Sequence, residues 1–368
     1  MHTEEKQMAK ETVVVGMSGG VDSSAAAYLL KEQGYNVVGV TMDIWQKEDW
    51  QVQETEGGCC GLSATEDARR VASQLGIPYY VMNFKKDFKE KVINYFIDEY
   101  QKGRTPNPCI ACNRYIKWEA LLNRARETGA DYIATGHYAR IIKLANGRYT
   151  ISQSAAGKKD QTYVLYSLGQ EQLRHTLMPA GDYTKEEIRA IAKKSGLNVA
   201  DKSESQDICF VPDGNYASFI ERETGRKCTT GNFIDEDGNI LGVHKGIENY
   251  TIGQRKGLNL PAKQPYYVKK IIPSTQEVVL GDAESVFTDT VFADNINYMA
   301  ASSLEEPKKL IAKIRYAHAG AECEVIPLPD GRLECHFNEK QRAVTPGQAI
   351  VFYENGYVFG GGRIIQPC

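Results

Sequence analysis

One glycine-rich segment has the residue types of an anion-binding turn. It reads SGGVDSS over 18–24 and follows directly on the apolar run 13–17. Two glycines let the backbone turn sharply after a buried strand, and an aspartate with serines is typical of a helix start. The N–H groups and positive end of such a helix stabilise a phosphate, whereas an ordinary β–α turn needs only one of these features. Because no lysine follows the glycines as in a Walker loop, the segment predicts a phosphate site of another kind.

A second segment concentrates cysteine, proline and basic residues. It reads GRTPNPCIACNRYIKW over 103–118 and contains Cys109 and Cys112, and a third cysteine, Cys209, lies in SQDICF at 205–210. The prolines predict an extended chain that places both thiols of the first motif on a loop before a helix. A thiol at a helix N-terminus with basic neighbours is expected to have a lowered pKa and to react as a thiolate. The basic neighbours in sequence are Arg104, Arg114 and Lys117, and the helix is expected to begin near Arg114.

The elements around these segments predict an α/β domain with a parallel sheet, because apolar strands alternate with amphipathic helices. The predicted strands are 13–17, 37–42, 79–84 and 132–135, and the predicted helices are 22–33, 63–75, 86–101 and 116–128. Ligands of such sheets bind beyond the carboxyl ends of the strands. The glycine-rich segment follows the first strand, Met42 ends the second, and Gly136 follows the last. We therefore expect three segments to meet at one crevice.

The second half of the chain has a different pattern. A capping box at Thr184 and Glu187 predicts a helix to about residue 194, and beyond residue 214 helical periodicity fades. A turn signal at Asp237-Gly238 and short β-like runs at 266–272 and 277–281 then predict a small, mainly β central domain. From about 285, short and evenly spaced strands predict a C-terminal β-barrel. The expected domains are 1–212, 213–283 and 284–368.

Length and composition are those of a globular protein with two or three cores. The 368 residues include 44 basic and 47 acidic side chains, a balance that neither favours nor excludes nucleic acid. No apolar run reaches membrane-spanning length and the polar start lacks a signal-peptide core, so we expect a cytoplasmic protein without membrane contact. In that compartment the nine cysteines stay reduced, which favours catalytic, metal-binding or inert thiols over a disulfide framework.

Several motifs occur in one order along the chain. They are SGGVDSS at 18–24, GRTPNPCIACNRYIKW at 103–118, ATGHYAR at 134–140, KKDQTY at 158–163, SQDICF at 205–210, Arg315-Tyr316 and Pro346-Gly-Gln348. Together they closely resemble the bacterial and organellar tRNA-specific 2-thiouridylases of the ATP-pyrophosphatase superfamily. The resemblance spans essentially the whole chain, so it implies the fold of that family, a PP-loop ATP-binding domain followed by two β-rich domains.

The resemblance also implies a reaction. The family uses ATP to adenylate the C2 oxygen of the wobble uridine in tRNAs for Lys, Glu and Gln, and replaces that oxygen by sulfur from a persulfide. Mg²⁺ is expected with the ATP, a sulfur-relay protein is the expected donor, and we expect a monomer. By motif, Cys112 is the nucleophile and Cys209 carries the persulfide, and a disulfide between them would close the cycle. Such chemistry needs the activated leaving group and the soft nucleophile that adenylate and persulfide supply.

The remaining site residues come from the same resemblance. The expected ATP site comprises Gly16, Met17, Ser18, Gly19, Gly20, Val21, Asp22, Ser23, Met42 and Gly136. Asp22 is in addition a candidate for organising the metal or the phosphate end. The expected contacts with the target base are Asn107, Pro108 and Cys109, and those with the rest of the tRNA are His137, Lys159, Asp160, Gln161, Arg315, Tyr316 and Gln348. Extruding a wobble base fits a proline-stiffened pocket floor.

The chain departs from the family at Cys109, where the family motif has Asp after the second Pro. Two interpretations stay open. In the first, the persulfide mechanism holds and Cys109 or water handles the proton. In the second, Cys109, Cys112 and Cys209 are ligands of a [4Fe–4S] cluster that delivers hydrosulfide. The adjacent cysteines Cys59 and Cys60 lie in GGCCG at 57–61, and the glycines there predict a loop above the crevice.

Two other function classes compete with this hypothesis. An amide-forming synthetase would explain the phosphate loop but would leave Cys112 and Cys209 without a role. A tRNA- or nucleotide-binding module that only senses ATP would need neither thiol. Replacing each of the two thiols separates these classes, since only the sulfurtransferase depends on them.

Overall fold

The structure, a computed structural model, describes residues 10–45, 62–200, 202, 208–261 and 264–365. Its first sheet is parallel throughout and has the strand order β3-β2-β1-β4-β7. The strands are β1 Thr12–Gly16, β2 Asn36–Asp43, β3 Tyr79–Asn83, β4 Tyr132–Ala134 and β7 Thr176–Leu177. The four predicted strands are confirmed. The fifth, β7, was missed because two residues are too short to show a period.

Helices cover both faces of this sheet. The described helices are α1 Val21–Glu32, α2 Leu62–Leu75, α3 (Lys85–Phe88, Lys89–Ile93 and Asn94–Gln101 in succession), α4 (Pro108–Ala111, Cys112–Leu121 and Leu122–Glu127 in succession), α5 Gln170–Arg174, α6 Lys185–Lys194 and α7 Tyr216–Thr224. Val14 of β1 packs into a core with α3 and α4, whereas Val13 and Val15 pack with α1, α2 and α6. This alternation explains why the strand is apolar at every position. No helix in the described ranges is long and apolar enough to cross a membrane.

The start of α4 corrects the sequence-based prediction. The helix begins at Pro108, not near Arg114, so Cys109 and Cys112 lie on the helix and not on a loop before it. The reason is local: Asn107 caps the helix, its Oδ1 accepting from the N–H of Cys109 at 3.1 Å, and Pro108 takes the first helical position, which proline favours.

The central region forms a separate four-stranded sheet in the order β10-β11-β8-β9. Its strands are β8 Gly231–Ile234, β9 Ile240–His244, β10 Tyr267–Ile272 and β11 Glu277–Gly281. The predicted turn at Asp237-Gly238 joins β8 to β9, and Gly238 adopts a positive φ of 86° there. Phe233, Val268 and Val278 form its core and are at most 1% exposed.

The C-terminal region is a closed barrel of six strands, which confirms the predicted β-barrel. The strands are β12 Phe287–Tyr298, β13 Lys308–Lys313, β14 Ala321–Pro327, β15 Leu333–Arg342, β16 Ala349–Glu354 and β17 Tyr357–Ile365. The expectation of uniformly short strands is wrong for β12, which has 12 residues. A bulge between Asp294 and Asn297 bends it, so that β12 pairs with both β15 and β17 and closes the barrel.

A hairpin from the first half of the chain extends the barrel sheet. Its strands are β5 Arg140–Lys143 and β6 Tyr149–Ser152, and Ser152 pairs with Tyr357 of β17. The side chain of Arg148 donates to the carbonyls of Met299 and Tyr298, each at 2.9 Å. The hairpin therefore ties the barrel to the region that follows β4.

Candidate active site

The glycine-rich segment forms a tight turn between β1 and α1. Gly19 has a φ of +69°, and a Cβ there would lie 2.2 Å from the carbonyl oxygen of Ala64. Only glycine permits both this backbone conformation and the close approach of α2. The N-terminus of α2 therefore lies directly against the turn.

The polar groups of the turn are arranged for an anion. Ser23 Oγ accepts from the N–H of Ser18 at 3.1 Å and lies 3.3 Å from Ser18 Oγ. Gly20, which precedes the first residue of α1, carries no capping side chain. The first-turn N–H groups and the positive end of α1 can thus serve a phosphate, as the sequence predicted.

The carboxylate of Asp22 has two protein partners among the described residues. Lys185 Nζ lies 2.7 and 2.8 Å from its two carboxylate oxygens, and Tyr138 donates its hydroxyl to the same carboxylate at 2.6 Å. Lys185 is buried at the first position of α6. Asp22 therefore holds α1 and α6 together. Its role in organising the metal or the phosphate end stays a prediction.

Sequence analysis missed the two cations at this turn. Besides Lys185, Lys202 donates to the carbonyl of Gly19 at 3.3 Å and to Asp67 at 2.8 Å. A signal for Lys185 existed: the capping box at Thr184 is confirmed, and a lysine in the first turn of a helix opposes the helix dipole. Such a lysine is expected to have a specific partner.

The other predicted nucleotide residues lie at the same sheet edge. Gly136 follows β4, and a Cβ there would lie 2.5 Å from the backbone of Asp22 and Ser23. Met42 is half-buried near the end of β2, and Thr41 beside it donates to the carbonyl of Met17 at 2.7 Å. The expected convergence of three segments after β1, β2 and β4 is thus observed.

The motif around Asn107 is held by the barrel. The N–H of Thr105 donates to the carbonyl of Pro346 at 2.9 Å, and Gln348 Nε2 donates to the carbonyl of Thr105 at 2.8 Å. Gly347 has a φ of +92° and would bring a Cβ within 3.1 Å of Thr105. These contacts fix the extended segment that precedes α4. Gln348 therefore lies beside the segment that contains Asn107, and the tRNA contacts of both residues stay a prediction.

Cys112 and Cys209 lie against one hydrophobic core. Cys109 is exposed, whereas Cys112 and Cys209 are half-buried and both pack on the cluster that includes α3 and α4. Phe210, next to Cys209, contacts Phe88 and Phe96 of α3 at ring distances of 5.8 and 5.3 Å. Both thiols therefore pack against the same hydrophobic core, although 97 positions separate them in the sequence.

The basic neighbours predicted to activate these thiols have other partners. Arg104 pairs with Glu99 at 3.2 Å, Lys117 donates to Asn113 Oδ1 at 2.8 Å, and the Arg114 guanidinium lies 5.2 Å from the centre of the Tyr115 ring. The positive end of α4 lies at Cys109 and favours a thiolate there.

The donor set does not fit the iron–sulfur interpretation. Within the described ranges, no three cysteine, histidine or carboxylate side chains come together as metal ligands, and these ranges include Cys109, Cys112 and Cys209. Three convergent thiolates are the minimum that the cluster would need. The [4Fe–4S] alternative is therefore unsupported.

His137 is held inside the site. Its Nδ1 lies 2.7 Å from Thr135 Oγ1, its Nε2 lies 3.4 Å from Lys117 Nζ, and its ring packs on Trp118. Burial, reinforced by the charge of Lys117, lowers the pKa of His137 well below 6.5. The imidazole is neutral at pH 7, and its contact with a lysine makes Nε2 the acceptor.

The loop KKDQTY uses part of its polar groups for its own structure. Asp160 accepts from the N–H groups of Ser154 and Thr162 at 2.9 and 3.1 Å, and Gln161 pairs with the backbone of Tyr138. Lys159 is exposed. This loop therefore presents a lysine from a fixed backbone beside the ATGHYAR segment.

Arg315 and Tyr316 lie close to the same loop. The Tyr316 ring is 6.2 Å from that of Tyr163, whose hydroxyl donates to the carbonyl of Ala349 at 2.9 Å. Arg315 donates to the carbonyl of Arg342 at 3.1 Å. The structure thus gathers the late motifs of the barrel around the early motifs of the first domain. Residues 205–207 of SQDICF and the pair Cys59 and Cys60 lie outside the described residues.

Comparisons with known proteins were decisive for the family. A family model described as "tRNA methyl transferase HUP domain" matches residues 11–213, one described as "tRNA methyl transferase PRC-barrel domain" matches 217–282, and one described as "Aminomethyltransferase beta-barrel domain" matches 288–364. A Lachnoclostridium phytofermentans protein named tRNA-specific 2-thiouridylase MnmA is 61% identical over 354 residues, or 96% of this chain and 99% of that protein. The chain belongs to the tRNA-specific 2-thiouridylase family.

Further relatives agree with this family. A tRNA-specific 2-thiouridylase MnmA of Clostridium perfringens is 54% identical over 97% of this chain and 99% of its own length. A solved 4-thiouridine synthetase–RNA complex with bound ATP covers 58% of this chain and 50% of its own at 20% identity, and its TM-score of 0.33 is too low to carry an argument. The assignment of the chain to the 2-thiouridylase family is therefore based on the nearly full-length relatives.

Proposed function

We propose that this protein is an ATP-dependent tRNA 2-thiouridylase that acts on the wobble uridine of tRNAs for Lys, Glu and Gln. The observation that carries the proposal is the 61% identity to a tRNA-specific 2-thiouridylase over 96% of the chain. The glycine-rich turn at 18–24, which we call the phosphate turn, and the two thiols on one core support the proposal. A synthetase or a binding module would need no such thiols.

The first half of the reaction uses the crevice at the sheet edge. The turn 18–23 and the N-terminus of α1 bind the phosphates of ATP, and Met42 and Gly136 line the rest of the nucleotide site. The C2 oxygen of the uridine attacks the α-phosphate, which releases pyrophosphate and leaves an adenylated base. Mg²⁺ is expected to be held chiefly by phosphate oxygens, because Asp22 is occupied by Lys185.

The second half transfers sulfur. A persulfide on Cys209 attacks C2 through its terminal sulfur, and AMP leaves with the electrons of the C2–O bond. The Cys112 thiolate then attacks the inner sulfur of Cys209, so that the electrons of the S–S bond go to the new C–S group. The products are 2-thiouridine and a Cys112–Cys209 disulfide, which a cellular thiol reduces before an upstream protein delivers the next sulfur.

The tRNA contacts follow the positions of the motifs. Asn107, Pro108 and Cys109 contact the target base at the start of α4, and Cys109 or water handles the proton. Lys159 and Arg315 serve phosphates, while Tyr316 contributes an aromatic face. Asp160, Gln161, His137 and Gln348 have structural partners, so we propose that they position this surface and that the monomer binds one tRNA.

Reconstitution with ATP, tRNA and a persulfide source tests the proposal, with mass spectrometry of the wobble nucleoside as the measurement. Cys112→Ser and Cys209→Ser are expected to abolish 2-thiouridine while ATP and tRNA binding persist. Cys228→Ser, a thiol in the central region, is the matched control and keeps activity. Thiolation by both site variants would overturn the assignment. Pyrophosphate release that depends on a small amine and not on tRNA would indicate a synthetase.

A further inference from the structure

A cavity of about 530 Å³ lies between the first domain and the barrel. Its walls come from α3, from the first turns of α4, from Tyr166 and Ser167, and from the barrel residues Asn295, Gly347–Ala349 and Arg363. The volume falls within the roughly 300–1,000 Å³ typical of small-molecule sites. The cavity is therefore large enough for one nucleotide.

The cavity lies on the other side of α4 from the reactive thiol. Ile110, Ala111, Arg114 and Tyr115 line it, and these positions share one helix face. The thiols Cys109 and Cys112 are absent from its lining among the described residues, since they belong to the opposite face, where Asn113 is buried and donates to the carbonyl of Val164. Asn107 is shared, because it both caps α4 and lines the cavity.

One buried polar group in the wall lacks a partner. Ser167 is 6% exposed, and its hydroxyl is buried without a hydrogen-bond partner in the described part of the chain. A buried hydroxyl that is left unsatisfied costs about 1–3 kcal/mol, so such groups usually serve a ligand. Ser167 lines the cavity beside Tyr166. This hydroxyl is the independent sign that the cavity binds something polar.

The aromatic and basic lining defines the chemistry of the ligand. Three tyrosines, Tyr95, Tyr115 and Tyr166, line the cavity, and the ring of Tyr115 has Arg114 at 5.2 Å and Lys91 at 5.8 Å. Arg114 is exposed and has no carboxylate within ion-pair distance among the described residues. Aromatic faces stack bases and a guanidinium binds phosphate.

Amide side chains complete the polar lining. Asn94 and Asn295 each offer a donor and an acceptor, the groups that read the edge of a base. Asn107 keeps its Nδ2 donor and Gln348 its Oε1 acceptor, because their other amide atoms bond the backbone. The carboxylates Glu90 and Asp98 also line the cavity and can accept from a ribose hydroxyl or an exocyclic amine. These two carboxylates repel a ligand that carries several negative groups. A single nucleotide carries its negative charge on the phosphate only.

We propose that this cavity binds one unstacked nucleotide of the tRNA, the immediate neighbour of the target uridine in the RNA chain. The inference rests on the proposed function, and Asn107 supplies the link, because it adjoins both the proposed base site and the cavity. A neighbour held here keeps the target base extruded towards Cys112. The cavity is thus a specificity site for the loop sequence around the target.

Double-mutant binding measurements test this inference at constant salt. Full tRNAs carrying an abasic nucleotide immediately 5′ or 3′ of the target are titrated against wild type, Arg114→Ala, Tyr115→Ala and Ser167→Ala. Loss of one stacked base weakens binding about tenfold or more in wild type at one of the two positions. Tyr115→Ala is expected to bind the same abasic tRNA less than about twofold more weakly than intact tRNA, because the stacking contact is already absent. Arg126→Ala, an exposed arginine on the same helix, is the control and keeps the wild-type pattern.

The outcomes separate the inference from the function. If the abasic tRNA and the cavity substitution each lower the affinity by the same factor alone and in combination, at both flanking positions, the cavity does not hold a neighbouring nucleotide and the inference is wrong. Equilibrium dialysis with free UMP and AMP provides a second arm, since Arg114-dependent binding of a mononucleotide without coupling to the tRNA would assign the cavity to a free nucleotide. Wild-type thiolation of intact tRNA is measured in parallel. Its absence would contradict the proposed function itself.

Discussion

Lys185 Nζ lies 2.7 and 2.8 Å from the two carboxylate oxygens of Asp22, a residue 163 positions earlier in the chain. Asp22 stands in the first turn of α1, directly after the phosphate turn, and Lys185 opens α6. A lysine at the first position of a helix is electrostatically unfavourable, because the helix dipole repels a cation there, and the carboxylate of Asp22 offsets this repulsion. The pair therefore fixes the end of α1 at the glycine-rich turn, which is the proposed site of the ATP phosphates.

Removal of this ammonium is expected to weaken both folding and ATP use. Among the described residues, Lys185→Met leaves the Asp22 carboxylate with the hydroxyl of Tyr138 as its remaining side-chain partner, and loss of a hydrogen bond to a charged group costs about 1.5–3 kcal/mol. Urea denaturation measures the loss of stability, and ATP–pyrophosphate exchange measures the rise in KM for ATP.

Lys194→Met, an exposed lysine in the last turn of α6, is the matched control and changes stability by about 0.5 kcal/mol or less. The double variant Lys185→Met with Asp22→Asn removes the unpaired charge and is expected to be more stable than Lys185→Met alone. Additive losses in the double variant would contradict the role of the pair.

Gly136 is expected to tolerate no side chain. In Gly136→Ala the new Cβ would meet the backbone of Asp22 and Ser23 at 2.5 Å, so the start of α1 must move. Overpacking of this kind costs about 1–3 kcal/mol, and the displaced phosphate turn lowers ATP affinity, which isothermal titration measures. Gly169→Ala is the control, because its Cβ would meet only Gln172 Oε1 at 3.7 Å. Equal ATP affinity in both variants would show that the close approach is unimportant.

His137 is expected to make the protein less stable in mild acid. Its pKa is lowered well below 6.5 by burial and by Lys117, so the unfolded chain binds a proton that the folded chain rejects. Above pH 6.5 His137 is neutral in both states and does not affect the free energy of unfolding. Below pH 6.5 protonation of the unfolded chain lowers that free energy by up to about 1.4 kcal/mol per pH unit. His137→Gln is expected to reduce the fall of the urea midpoint between pH 7 and about pH 5. His244 and His318, whose pKa values burial also lowers, leave a residual slope, and an unchanged slope would refute the prediction.

Cys109 is expected to accept an aspartate. The residue is exposed in the first turn of α4, where a carboxylate interacts favourably with the helix dipole by about 0.3–1 kcal/mol. Cys109→Asp should therefore be as stable as wild type or slightly more stable, and it should still form 2-thiouridine. Iron and sulfide analysis of anaerobically purified wild type is expected to show no stoichiometric cluster. Loss of thiolation in Cys109→Asp together with bound iron in wild type would support the [4Fe–4S] interpretation and contradict this prediction.

Local signals explain which elements sequence analysis recovered. Strands β1 to β4 contain apolar runs that alternate with amphipathic helices. The glycine-rich turn and the capping box at Thr184 depend on neighbours within a few residues. The prolines favour an extended chain, but Asn107 followed by Pro108 is also a helix-start signal, and this second signal decides where α4 begins. β7 is too short for any period to show.

The α/β class, the barrel, the family and the order of the motifs can be inferred from the amino-acid sequence, because each depends on patterns that are contiguous along the chain. Tertiary packing sets which distant groups meet. It paired Asp22 with Lys185, set the barrel loop at Gln348 against Thr105, joined the hairpin β5–β6 to β17, and showed that the three cysteines do not form a ligand set. These contacts arise from packing between segments more than a hundred residues apart, and no local periodicity encodes such a distance.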